Sequence, residues 1–197
     1  INAVYQNMKA AAPKRHFTLG ITDDVTHLSL PDIPIDVHTK NTINCKFWGF
    51  GSDGTVGANK NSIKIIGDNT DMYVQAYFEY DAKKSGGVTK SHLRFGHNPI
   101  RSAYYIKQAD FLACHKQAYM NSYDIIREVK DNGIFLLNCN WSDTELDQAL
   151  SHDVKRQIAR KHIRFYTIDA TKIAIEIGLG GNRTNTVLQA SFFKSVS

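Results

Sequence analysis

The stretch "CKFWGFGSDGTVGANK", residues 45–60, carries four glycines within nine positions, Gly49, Gly51, Gly54 and Gly57, directly after a short apolar run. Gly49-x-Gly51-x-x-Gly54 has the spacing of a dinucleotide loop, in which a strand leads in and a helix N-terminus faces phosphate. Glu79 falls at the end of the next predicted strand, close to where a ribose-binding acid stands in such proteins. Ser52-Asp53 opposes that reading, because a carboxylate beside a pyrophosphate is repulsive unless it turns away or bonds the loop's own backbone. On spacing alone three uses stay open: a dinucleotide, another phosphate-bearing ligand, or a loop packed on a neighbouring domain.

The flanking sequence places the loop in a β/α alternation. CKFWGF reads as a compact strand, and residues 55–66 as a helix with Val56, Ile63 and Ile66 on one side and Gly67 as its stop. MYVQAYFEY (72–80) alternates, with Val74, Ala76 and Phe78 on the face to be buried. VTKSHLRFG (88–96) alternates polar and apolar residues and is expected at a partly solvated sheet edge. ADFLACH (109–115) is a buried strand, residues 117–130 a helix presenting Tyr119, Tyr123 and Ile126, and IFLLNC a central strand after an Asn132-Gly133 stop. Ser142 with Glu145 forms a capping box, and Ser151 opens another helix. IRFYTID (163–169) is the last strand, and helices flank the GLGG break at 178–181, where Gly178 supplies a left-handed cap.

Strands separated by helices predict an α/β fold, a mostly parallel sheet with helices on both faces in a Rossmann-like three-layer arrangement. Ligands then sit beyond the carboxyl ends of the strands, where the Gly-rich loop falls. Residues 41–197 form this domain. Residues 1–40 read as an N-terminal linker, with short strands in FTLGITDDVTHLSL around Asp23 and Asp24 and a proline-ruled PDIPID. The chain starts with Ile1 and a basic, alanine-bearing lead-in, so it reads as a piece of a longer polypeptide.

Charge and composition narrow the function. The net charge of +5 is dispersed among acidic residues, unlike the clustered basic stripe of a nucleic-acid binder. Apolar runs such as IFLL (134–137) are far too short to span a bilayer, and no signal-peptide pattern opens the sequence. Cys45, Cys114 and Cys139 have no C-x-x-C spacing and read as small buried hydrophobes in a reducing cytosol. His92, His97 and His115 lie near strand ends without a ligand-spaced partner, so no metal site is expected. Lys83, Lys84 and Lys90 frame Ser85-Gly86-Gly87 either as a solvated loop or as a cationic flap across the rim from residues 51–57.

Several long segments add a resemblance. "FGSDGTVGANKNSIKIIG", "YFEYDAKKSGGVTKSHLRFG", "PIRSAYYI", "ADFLACH" and "GGNRTNTVLQASFFK" together resemble the central domain of pyruvate:ferredoxin (flavodoxin) oxidoreductases. That domain corresponds to the gamma subunit of multi-subunit 2-oxoacid oxidoreductases. The resemblance implies a cytoplasmic, homodimeric, multidomain enzyme that oxidatively decarboxylates pyruvate to acetyl-CoA and passes electrons to ferredoxin or flavodoxin. It implies that thiamine diphosphate with magnesium, and the iron–sulfur clusters, belong to other domains of the polypeptide. This domain by itself is then inert, with no catalytic residue. Coenzyme A is the phosphate-rich substrate of that reaction. Gly51, Ser52, Asp53, Gly54, Thr55, Val56 and Gly57, with Lys83 or Lys84, are the candidates to hold its phosphates. NAD is not expected to bind. A nucleotide-binding module and a purely structural interdomain scaffold are the alternatives.

Overall fold

The computed structural model describes residues 1–33, 41–81, 86–101 and 105–196. By its contacts the chain divides into two compact units, residues 1–38 and 39–197. In the first, helix α1 (Asn2–Lys9) precedes a single bridge between Leu19 and Leu30, where paired short strands were expected. The turn between them is held by Asp24, whose carboxylate accepts the Thr26 hydroxyl and the N–H groups of Ser29 and Thr26 and is thereby held below the usual carboxylate range. Residues 34–36 of the predicted proline-ruled linker lie outside the described residues.

The second unit is built on six strands: β1 (Thr42–Phe50), β2 (Tyr73–Tyr80), β3 (Val88–Gly96), β4 (Ala109–Cys114), β5 (Val129–Asn138) and β6 (Arg164–Ile168). They form one sheet in the order β2-β3-β1-β4-β5-β6. From β1 to β6 every neighbour is parallel, as the alternation with helices requires. The β2–β3 hairpin joins antiparallel on the other side of β1. The fold is the α/β arrangement expected from sequence, with an antiparallel extension on a mostly parallel sheet.

Strand alternation divides the core into two layers. Cys45, Phe47, Leu93, Phe111, Ala113 and Leu136 face one side, where α2 (Thr55–Asn69) and α6 (Thr184–Val196) bring Ile66 and Phe192. Trp48, Leu112, Cys114, Phe135 and Leu137 face the other, under the β4–β5 connection and helices α3 (Asp143–Ala149) and α4 (His152–Arg160). Helix α5 (Ala170–Glu176) packs on α6 through Ala170, Ala174, Val187 and Leu188. Each fully buried Phe or Leu contributes roughly 1.5–3 kcal/mol of transfer free energy. The predicted capping box at Ser142 is present, and the Ser151 hydroxyl accepts the Val154 N–H. Gly178, at φ +78, follows the end of α5, where Leu179 N–H returns to the Ala174 carbonyl.

Four local expectations change. Helix α2 runs through Gly67 to Asn69, because the missing side chain lets the helix approach β2, where an added Cβ would sit 3.1 Å from Val74. β3 is not an edge strand. It lies between β2 and β1, and its polar residues His92 and Arg94 are fully buried. Neighbouring groups bond them: the Glu79 carboxylate bonds His92 Nε2, Ile106 N–H donates to His92 Nδ1 (3.0 Å), and Arg94 donates to Gln75 Oε1 (3.0 Å). The predicted helix at 117–130 is two 3₁₀ turns, Gln117–Asn121 and Ile126–Glu128. Its tyrosine spacing reflects packing on Trp48, with ring centroids 6.4 Å from Tyr119 and 5.0 Å from Tyr123. Asn132 is no helix stop. It sits inside β5 at φ +59, beside a register shift against β4.

Candidate functional site

β1 and β4 lie side by side and parallel, but the chain leaves their carboxyl ends toward opposite faces. After β1 it enters α2, which packs on the Phe47 side, and after β4 it enters the 3₁₀ turns, which pack on the Trp48 side. Departing loops that part this way open a crevice, the usual ligand position in α/β sheets. The Gly-rich loop lies on the β1 side of that position and His115 with Lys116 on the β4 side, and Thr55 meets His115 between them.

The loop is tightly closed. Gly49 allows the close approach of α2 to the sheet, since a Cβ there would stand 2.7 Å from both Thr55 Cβ and Thr89 Oγ1. Ser52 (φ +76) and Gly54 (φ +82) reverse the chain in the left-handed region. Asp53 turns inward: its carboxylate accepts the N–H groups of Phe50 and Thr55, each at 2.8 Å. Its own N–H returns to the Phe50 carbonyl, Gly51 N–H bonds the Gly87 carbonyl at 2.8 Å, and the Asn185 side chain holds the Asp53 carbonyl. The carboxylate therefore bonds the loop's backbone instead of confronting a ligand. It also consumes the first N–H of α2, one of the donors that a dinucleotide loop offers to pyrophosphate. Glu79, the other mark of a dinucleotide site, is engaged by His92.

What remains outward on the loop is Ser52, Gly54 and Gly57, all exposed, with Val56 half-buried. Gly51, Ser52, Gly54, Tyr80 and Val88 border a cavity of about 310 Å³. Thr55 is buried, and its Oγ1 lies 2.7 Å from His115 Nδ1. Burial pulls the His115 imidazolium down to about 4, with the Asp53 carboxylate acting the other way, so the ring is neutral at physiological pH.

His115 also borders a larger cleft of about 730 Å³ at the carboxyl ends of β4, β5 and β6, together with Lys116, Asn138, Asn140 and Lys172. Asn138 braces this cleft, donating to the His115 carbonyl (3.1 Å) and accepting the Ala170 N–H that starts α5 (3.1 Å). The Lys116 ammonium sits 3.7 Å from the centroid of the Phe50 ring, between the cleft and the loop. A neutral imidazole, amides and two lysines share this cleft with the carboxylates of Asp169, which accepts the Lys172 N–H, and Glu176.

Of the sequence-predicted residues, Gly51 to Gly57 come together as one loop, whereas Lys83 and Lys84 lie outside the described residues. Reasoning from sequence placed His115 near a strand end but missed its bond to Thr55, and it missed Lys116, Asn138 and Lys172. The available signal was position: each follows or ends a predicted parallel strand or opens the helix after it. Cys45 lies on one face of the sheet, and Cys114 and Cys139 on the other, all buried and free. Burial pushes the Cys114 thiol up to about 12. Among the described residues no group of three or more His, Cys, Asp or Glu side chains is arranged to hold a metal. No described helix is long and apolar enough to cross a membrane.

Comparison with known proteins adds sequence and fold relatives. The family described as pyruvate ferredoxin/flavodoxin oxidoreductase matches residues 44–197. The chain is 60% identical over 195 residues to pyruvate:ferredoxin oxidoreductase of Moorella thermoacetica, covering 98% of this chain and 17% of that protein. It is 57% identical to pyruvate-flavodoxin oxidoreductase of Enterobacter agglomerans, with the same coverage. Among solved structures, the pyruvate oxidoreductase subunit PORC of Thermotoga maritima superposes with a TM-score of 0.57 at 19% identity, over 80% of this chain and 78% of the subunit. The 2-oxoglutarate:ferredoxin oxidoreductase of Magnetococcus marinus, solved with 2-oxoglutarate, coenzyme A and succinyl-CoA bound, does so with a TM-score of 0.55 at 17% identity, over 76% of this chain and 23% of the other. At such identities the structural likeness establishes the fold. The sequence matches carry the assignment: spanning 17% of the length of the first two relatives, this chain belongs to the pyruvate ferredoxin/flavodoxin oxidoreductase family.

Proposed function

We propose that this domain serves a pyruvate:ferredoxin or pyruvate:flavodoxin oxidoreductase by helping to hold coenzyme A and by packing beside a thiamine site built by other domains. The supporting observation is that two cavities open at the carboxyl ends of neighbouring strands, one beside the Gly-rich loop and one beside His115 and Lys116. On this reading the polypeptide oxidatively decarboxylates pyruvate to acetyl-CoA in the cytoplasm, works as a homodimer and hands electrons to ferredoxin or flavodoxin. Thiamine diphosphate with magnesium and the iron–sulfur clusters are carried by its other domains. This chain's three cysteines lack ligand spacing, and Cys139, the one beside the cleft, has its thiol pushed up by burial. The domain's part is to bind and orient.

Ser52, Gly54 and Gly57 let a phosphate approach the loop closely, and Lys83 or Lys84 supplies the positive charge. Because Asp53 occupies the Thr55 N–H, the helix N-terminus contributes less than the roughly 0.3–1 kcal/mol such a terminus usually gives. Affinity then depends on the lysines and on neighbouring domains. In the full-length enzyme, replacing Lys83 and Lys84 together by alanine is expected to raise the KM for coenzyme A by about tenfold, equivalent to roughly 1.4 kcal/mol. The KM for pyruvate is expected to stay nearly unchanged. If neither constant moves, and loop substitutions change only thermal stability, the scaffold reading replaces this one. Tight binding of NAD measured by calorimetry would instead favour the nucleotide-module reading.

A further inference from the structure

The two ends of the sheet are not alike. β6 is five residues long and opens with the exposed cation Arg164. β2 is eight residues long and contains no lysine, arginine or proline. Its one charged side chain, Glu79, is engaged by His92 of β3. Short length, cations and prolines are what keep an open strand from pairing with another chain, and β2 has none of them. Among the described residues no strand lies on its outer side.

We propose that β2 pairs with β2 of a second copy of this chain, antiparallel about a two-fold axis at Tyr77, joining the two six-stranded sheets into one. The sequence of the strand supports this occupant because it is self-complementary in that register. Antiparallel pairing sets residues of the same face opposite each other. With Tyr77 on the axis, Gln75 faces Glu79 of the second copy, Ala76 faces Phe78, and Val74 faces Tyr80. Each carboxylate thus meets an amide donor, each apolar residue meets an apolar or aromatic one, and no like charges oppose. Shifting the axis to Ala76 sets Glu79 against the Tyr73 ring and loses the amide partner. At the Tyr77 axis each Tyr77 ring already lies 5.3 Å from Tyr105, so the pairing gathers four tyrosine rings on one face. These tyrosines are 43% and 51% exposed in the single chain. Such a ladder is isologous, the geometry that closes a dimer without propagating into fibres.

The test uses the 197-residue chain. Light scattering across about a hundredfold range of concentration is expected to show a reversible dimer. Amide hydrogen exchange at residues 73–80 is expected to slow in step with dimer formation. Tyr77→Lys places two ammonium groups face to face at the axis and should abolish the dimer, and Tyr77→Glu should do the same with two carboxylates. Mixing the two variants should restore dimerisation as a heterodimer, a result that loss of folding in either variant would not give. A chain that stays monomeric over the whole range overturns the proposal and leaves the edge for a strand from elsewhere in a longer polypeptide. A dimer that both charge variants leave intact also overturns it, because a different surface then makes the contact.

Discussion

Two histidines mark the two halves of the sheet, and they serve different ends. His92 lies in the antiparallel half, entirely inside, with both ring nitrogens bonded: Nδ1 accepts from Ile106 N–H, and Nε2 faces the Glu79 carboxylate. His115 lies in the parallel half at the crevice, bonded through Nδ1 to Thr55, while its ring also borders the large cleft. Burial pulls both imidazoliums down to about 4, although a carboxylate opposes the shift in each case. The same displacement therefore arises in a closed network and at an open one. A displaced pKa alone does not separate a structural histidine from one at a ligand site, whereas the direction each ring faces does.

The largest expected effect tests what the two residues share. Both rings are neutral when folded and take up protons on unfolding wherever the pH lies between about 4 and the ordinary histidine value near 6.5. In that window the unfolded chain binds more protons, so stability rises with pH: it is fully present above about 6.5 and is lost as the pH falls toward 4. Urea unfolding at about pH 7 and about pH 5 should differ by roughly 2–4 kcal/mol. The exposed carboxyls of Glu145 and Asp147 are held below their usual range by Ser142 and Lys155 respectively, so their contribution is lost further down the pH scale. If stability is flat across this interval, the neutral-imidazole description of both sites fails.

A second experiment separates the two histidines. Glu79→Ala leaves His92 Nε2 buried without its partner and should cost roughly 1–3 kcal/mol of stability, with no change in the KM for coenzyme A in the full-length enzyme. Thr55→Val keeps the buried volume but removes the hydroxyl from His115. It should cost about 1 kcal/mol, yet raise that KM severalfold. Equal kinetic effects from the two variants would erase the distinction between a structural and a ligand-facing histidine. The smallest expected effect concerns the loop. Asp53→Ala frees the Phe50 and Thr55 N–H groups and should lower stability by about 1 kcal/mol in thermal unfolding. On the proposed reading it should also strengthen coenzyme A binding slightly, because a fixed negative charge leaves the wall of the crevice. A weaker interaction would show instead that the shape of the loop outweighs its charge.

Much of this was legible in order along the chain. The apolar run before Gly49, the ADFLAC and IFLL segments and the capping box at Ser142 each encode their element locally, through side-chain alternation or through a hydroxyl and a carboxylate three residues apart. The segments that misled are those whose conformation is set by distant partners. VTKSHLRFG has the alternation of a half-solvated edge strand, but Glu79, Gln75 and Ile106 supply hydrogen bonds that bury its polar face. The tyrosine spacing at 117–130 suits a helix, but Trp48 draws Tyr119 and Tyr123 onto the sheet as tight turns. Gly67 looks like a stop signal and is instead a point of close approach.

The sequence by itself determined the α/β class, the position of the Gly-rich loop between strand and helix, and membership of the oxidoreductase family. These follow from periodicity, turn chemistry and long ordered motifs, all of which act over a few residues or survive as residue identity. Only the tertiary structure decided that Asp53 turns inward, that Thr55 meets His115 across 60 positions of chain, and that the crossovers after β1 and β4 part to opposite faces. Those outcomes depend on which strands become neighbours and on which face each connection packs. That choice is made by burying the two apolar layers together, and no short stretch of sequence contains it.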